Sequence, residues 1–358
     1  MGALRCLLAL AIVNGHVGGI FGWQMIAGDA AVQAFYVVSG FYMTLVLSEK
    51  YGVDTAGRRR FWLSRYMRLA PAYLAISAAA LATGIARTGG AGVLAGADPA
   101  ALALAILSNL ALIGQDLFVF VGYDTAAGRF LFLPDILRGG LARAGPAVVP
   151  GWSLMQIPQG WSIGVEIWFY LLAPFLVTRR IGVVLGVMAA SFLLRLALAK
   201  GLGWKYDPWT YRFFPSELLV FLTGSLAYRA YARLKGAPSL DSAGWAALAA
   251  VIGLGLLYPW LPGGGADKRW IYVTIVALAL APLFALTRGW AADRWIGELS
   301  YPIYLSHLLI LSWLAPVVEP WRGLATLVLT LALSAAIMVG IEKPVDRLRQ
   351  RLAAPAFH

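Results

Sequence analysis

Charge is scarce in this chain. Of 358 residues only 13% are Asp, Glu, Lys or Arg, while 60% are hydrophobic; a soluble globular domain carries about 25% charged residues. A deficit spread over the whole length excludes an ordinary water-soluble domain and implies an integral membrane protein. The single cysteine, Cys6, excludes an internal disulfide framework and any metal site built on thiolates. Histidine occurs three times, at His16, His307 and His358. Glycine-rich phosphate loops, C-x-x-C pairs and H-E-x-x-H are absent, so metalloenzyme chemistry has no support and no metal site is expected.

What is present is a series of apolar runs. A membrane helix needs about 20 mostly apolar residues, and candidate spans lie near 3–22, 30–48, 70–86, 161–178, 181–199, 214–231, 243–261, 270–287, 299–317 and 323–341. The first is read as a retained membrane helix rather than a cleaved signal peptide, because it carries Arg5 and His16 and another apolar run follows at once. The net charge is +12, but the basic residues cluster between apolar runs, as the positive-inside rule expects, and no nucleic-acid partner is expected. GRRRFWLSRYMR (57–68), YRAYARLK (228–235), Arg179, Arg180 and EKPVDRLRQR (342–351) should be cytoplasmic. Counting crossings between these segments requires an even number between 70–86 and 161–178, so the short run 100–114 is read as non-crossing. The expected fold is an all-α, polytopic transmembrane helical bundle. It has ten spans, one short non-crossing helix and both termini inside. Residues 1–345 form the membrane domain and 346–358 a short basic tail.

Two outer loops, 115–160 and KGLGWKYDPWTYRF (200–213), mix aromatic and polar side chains. Tyr206 and Trp209 are candidates for stacking on a sugar; an interfacial aromatic belt is the alternative.

Ionisable groups inside a bilayer are functional candidates by default. Arg5 and His16 are eleven residues apart, so they share a helix face and lie about 16 Å apart along the axis. Arg5 is then expected near the cytoplasmic side and His16 well within the membrane. Gly15 and Gly19 form a small-xxx-small step that would let another helix approach. His307 poses the same question in a later span, and Glu166 near the outer end of another. Arg65 and Arg68 share a face and could fork onto one phosphate group; ordinary cytoplasmic anchoring is the alternative.

Six segments, in order, carry a resemblance to the acyltransferase-3 family of multi-pass membrane O-acyltransferases. Arg5 and His16 match its R-x10-H signature. AFYVVSGFYMT (34–44), FWLSRYMRLAPAYL (61–74), WSIGVEIWFYLLAP (161–174), GELSYPIYLSHLLIL (297–311) and IEKP (341–344) resemble its later motifs. Gln33 stands where many members carry an acid, and Ile167 and Trp168 replace the polar pair after the motif glutamate. With the sequence ending soon after IEKP, the SGNH domain fused to some members is not expected.

The resemblance implies transfer of an acyl group, usually acetyl, from cytoplasmic acyl-CoA to a hydroxyl of a glycan or lipid-linked saccharide, in a bacterial inner membrane. Arg5, Arg65 and Arg68 would hold the phosphates of coenzyme A. His16 would act as general base, with Arg5 beside the reaction path. Glu166 would share in catalysis by orienting the acceptor or a basic partner, with His307 assisting; Trp161 would contact the acceptor, as would the outer-loop candidates Tyr206 and Trp209. A transporter or flippase of a lipid-linked saccharide would also place Arg, His and Glu in the membrane, but no two-fold repeat with paired broken helices supports it.

Overall fold

The computed structural model describes residues 1–83, 97–317 and 321–353. The end of the expected span 70–86 and the tail beyond 353, with His358, lie outside the described residues. The chain is predominantly helical, with elements α1 (Gly2–His16), α2 (Gly28–Val46), α3 (Thr55–Ala82), α4 (Pro99–Ala111), β1 (Val121–Asp124), β2 (Arg129–Phe132), α5 (Gly140–Ala144), β3 (Val148–Pro150), α6 (Trp161–Leu176), α7 (Ile181–Leu196), α8 (Phe214–Leu234), α9 (Pro238–Leu256), α10 (Gly265–Thr287), α11 (Ala291–Trp313), α12 (Trp321–Ile337) and α13 (Lys343–Ala353). Among the described residues, five segments are long and apolar enough to cross a membrane: Gly28–Tyr51, Ile181–Gly201, Pro238–Leu256, Gly265–Thr287 and Trp321–Leu352. The run expected not to cross is α4, an apolar helix of 13 residues, about 20 Å long. It is capped by Asp98, whose side chain accepts from the Ala100 N–H, and stops where Leu112 turns left-handed.

Two compact units form from these elements. One comprises Met1–Ser64, Ala173–Arg179 and the chain from Val220 onward; the other comprises Arg65–Leu172 and Arg180–Leu219.

In the first unit, helices approach through glycines. A Cβ on Gly40 would stand 1.8 Å from the Phe221 carbonyl oxygen, and one on Gly224 1.9 Å from that of Val37. The motif VVSGF is thus the place where α2 meets α8 backbone to backbone, with Tyr36 stacked on Phe221 at 4.5 Å. Asp29 and the buried Arg269 pair at 2.9 Å between the starts of α2 and α10. Ala9 and Val13 of α1 pack with Leu299 and Ile303 of α11 and with Met338.

The second unit holds a small antiparallel sheet in the order β2-β1-β3, so the segment 115–160 is more structured than the loop the sequence suggests. Its interior holds hydrogen-bonded polar side chains. The Tyr73 hydroxyl donates to Asn109 Oδ1 at 2.9 Å and accepts from Gln115 Nε2 at 2.7 Å. The buried Glu217 carboxylate pairs with Arg195. Helix α7 exposes Leu185, Phe192 and Leu193, the surface expected of a lipid-facing helix.

Gly40→Ala is expected to lower the thermal midpoint of the detergent-solubilised protein strongly, because its Cβ meets backbone rather than a movable side chain. At Gly15, in contrast, a Cβ meets nothing within 4 Å. Gly15→Ala should be neutral or stabilising by up to about 1 kcal/mol through helix propensity. Equal midpoints for the two variants would contradict this packing.

Candidate functional site

Helix α1 ends at His16 for a local reason. Gly18 and Gly19 follow with φ of +77° and +94°, and the Gly19 N–H donates to the Asn14 carbonyl at 2.9 Å, a glycine-based helix stop. The buried Asn14 then organises the loop beyond. Its Nδ2 donates to the Trp23 carbonyl at 2.9 Å, and its Oδ1 accepts from the Met25 N–H at 3.1 Å. The expected first span, 3–22, is therefore shorter: 15 helical residues, about 22 Å against a hydrocarbon core of about 30 Å. His16 is exposed at a helix end, not enclosed within a continuous span. Among the described residues the expected Gly15/Gly19 contact with another helix does not occur: a Cβ on Gly15 would meet nothing within 4 Å, and Gly19 packs on Trp23 and Gln24 of its own loop.

Helix α11 packs along α1, and the two helices run parallel. At one end the Asp293 carboxylate accepts from the N–H groups of Gly2 and Ala3 at 2.7 and 2.8 Å. A carboxylate there satisfies otherwise orphaned donors and complements the helix dipole. A Cβ on Gly297 would stand 2.7 Å from the Gly2 Cα and 3.7 Å from an Arg5 guanidinium nitrogen, so Arg5 lies along this seam. At the other end His307 Nε2 is 3.2 Å from His16 Nδ1, with ring centroids 4.9 Å apart. Gly2 with Asp293 and His16 with His307 share one sequence offset, 291 residues, so the register is constant along the contact. His307 is wholly buried, and its Nδ1 lies 2.7 Å from the Tyr304 carbonyl oxygen. His16 Nδ1 lies 2.9 Å from that of Ile12.

Arg5, His16 and His307 thus lie along one helix pair in the first unit, with only the two histidines in contact. The other sequence-derived candidates belong to the second unit. Arg65 and Arg68 occupy successive turns of α3, both half-buried. Glu166 is half-buried on α6 and accepts from the Tyr170 hydroxyl at 2.5 Å. Trp161 is buried under the Arg212 guanidinium, 4.3 Å from its ring centroid, and Arg212 is held by both oxygens of Asp207. The Tyr206 ring lies against Arg138 at 4.7 Å. Trp209 is buried, stacked on Trp204 at 4.1 Å, with its Nε1 donating to the Pro134 carbonyl. The Trp209 ring is committed to packing inside the protein.

Residues 160–164, GWSIG, spell the pattern of a hydrolase nucleophile elbow, which requires a strand leading into a helix. Here a short turn, Pro158–Gly160, precedes α6, and the Ser162 hydroxyl donates to the Gln159 carbonyl at 3.3 Å. The glycines serve packing instead: a Cβ on Gly160 would meet the Gln115 side chain at 2.1 Å, and one on Gly164 the Asp116 backbone nitrogen at 2.7 Å. Trp168, one of the departures from the family pattern, donates its Nε1 to the buried Asp116 carboxylate at 3.1 Å. No group of three or more possible metal ligands occurs among the described residues.

Comparison with known proteins agrees with the ordered motifs. The family model of the acyltransferase-3 domain, described as an acyltransferase domain, matches residues 1–341. The chain belongs to that family and is a membrane acyltransferase. It is also similar to an uncharacterized protein of Aquifex aeolicus (strain VF5), 26% identical over 221 residues, covering 57% of this chain and 92% of that protein. No solved structure matches.

Burial pushes the Asp116 carboxyl up from 3.8 to about 6, partly offset by the Trp168 hydrogen bond. The carboxyl therefore favours the folded state while protonated. Its contribution is complete below about pH 4 and is lost as pH rises through about 6. Asp116→Asn keeps an acceptor for Trp168 and removes the charge. It should stabilise the protein by up to roughly 3 kcal/mol above pH 6 and leave it unchanged below pH 4. Melting curves at both pH values check this; a pH-independent effect would contradict it.

Proposed function

We propose that this protein is an O-acyltransferase of a bacterial inner membrane. It moves an acyl group, acetyl foremost, from cytoplasmic acyl-CoA to a hydroxyl of a glycan or lipid-linked saccharide. The single observation that carries the reading is the α1 arrangement: Arg5 and His16 on one helix, about 16 Å apart along its axis, with His16 exposed at the helix end. In this reading ten helices cross the bilayer, with both termini cytoplasmic.

Arg5 binds phosphate groups of the donor, as do Arg65 and Arg68, each offering a permanently charged fork. His16 takes the proton of the acceptor hydroxyl as its oxygen attacks the thioester carbonyl, since a neutral imidazole can serve as general base. The new C–O bond forms, the C–S bond breaks, and the proton passes to the departing thiolate. Glu166 and Trp161 serve acceptor binding, as do Tyr206 at the loop surface and Trp209 through the packing that supports that loop.

His16→Ala should reduce transfer of labelled acetyl from acetyl-CoA by about 10²–10⁴-fold with an unchanged melting profile. Full activity would remove His16 from the chemistry. Arg5→Lys should raise KM for acetyl-CoA about tenfold, the worth of one charge-assisted hydrogen bond of about 1.5 kcal/mol. An unchanged KM would argue against a phosphate contact.

A further inference from the structure

We infer that His307 is a positioning residue, a neutral imidazole that holds the His16 ring so that its Nε2 lone pair faces the acceptor hydroxyl. This rests on the general-base reading of His16.

Two carbonyls decide where the protons sit. A carbonyl oxygen only accepts, so His307 Nδ1, 2.7 Å from the Tyr304 oxygen, carries a hydrogen. The neutral His307 ring then has its lone pair on Nε2, and that atom points at His16 Nδ1 across 3.2 Å. The other neighbour of His16 Nδ1 is the Ile12 oxygen at 2.9 Å, again only an acceptor. Both contacts therefore require the hydrogen of His16 on Nδ1. Its Nε2 is left unprotonated.

The Ile12 carbonyl lies one turn back on the helix that carries His16 and favours the same tautomer, without holding the ring against rotation. His307 comes from α11 and ties the ring to a second helix. A base oriented by a third group is the general logic of acid–base dyads and triads. That third group is commonly a carboxylate. Here the orienting residue is wholly buried, where an unpaired carboxylate would cost far more than a neutral ring. During transfer the acceptor proton moves to His16 Nε2, the hydroxyl oxygen bonds the acyl carbon, and the C–S electron pair leaves with the thiolate. The proton then returns from Nε2 to sulfur. His307 keeps its own hydrogen throughout and accepts from His16 Nδ1.

The chain has only three histidines, so protein labelled with ¹⁵N-histidine in nanodiscs gives a readable long-range ¹H–¹⁵N spectrum, assigned with His16→Gln. Expected is a neutral His16 with Nδ1 protonated and Nε2 bare. In His307→Ala the Nε2-protonated tautomer should emerge, and kcat should fall roughly 10–100-fold, as for other residues that orient a histidine, with KM for acetyl-CoA unchanged. His307→Gln, whose side-chain oxygen can still accept from His16, should recover most of kcat. A wild-type His16 protonated on Nε2 overturns the proposal, and so does His307→Ala with wild-type tautomer and kcat. If His307→Ala does not fold, the wild-type spectrum and His307→Gln decide. The spectrum reads the geometry without activity. Full transfer by His16→Ala would instead sink the base assignment alone.

Discussion

Gly2 and Gly297 let α1 and α11 come into backbone contact, and the features that place His16 follow from that approach. A side chain at either position would push the helices apart, because the nearest atoms are backbone. Asp293 secures the start of α1 by accepting from its first free N–H groups. A parallel pair in constant register then carries Arg5 along the seam and brings His16 to His307 at the far end. The two histidines are side by side because of an arrangement set some twenty ångströms away, at about 1.5 Å per residue.

The same device recurs elsewhere in each unit, with different atoms. Gly40 and Gly224 bring α2 onto α8. Gly160 and Gly164 bring α6 onto the segment holding Gln115 and Asp116. Helices in a membrane gain little from the hydrophobic effect between themselves, so close backbone approach and paired polar groups supply the specificity. Asp29 with Arg269, Glu217 with Arg195, and Tyr73 with Asn109 and Gln115 are the polar counterparts.

Membrane character was legible in the composition, because a charge deficit over the whole length admits few alternatives. The apolar runs located the main helices, and the 100–114 run is a helix of 13 residues. The family was legible in six ordered motifs, and the domain match over 1–341 agrees with them. Less legible were the ends and the neighbours. The first apolar run gave no sign that the helix stops at His16, since Gly18 and Gly19 also suit a continuous membrane helix. The part Asn14 plays in ordering the loop beyond the helix end depends on its burial, which only the folded chain shows. Trp209 reads as a sugar platform by composition, yet burial against Trp204 gives it a packing role.

Covalent order and helical period were enough to put Arg5 and His16 on one face, for both lie on one short helix and need no distant contact. The partner of His16 was beyond their reach. His307 is 291 residues away, and its approach depends on the register of two helices, which glycine contacts and the Asp293 cap determine. A side chain's residue type limits which protons it can hold. Only the carbonyls packed around it in the folded chain decide which nitrogen holds one.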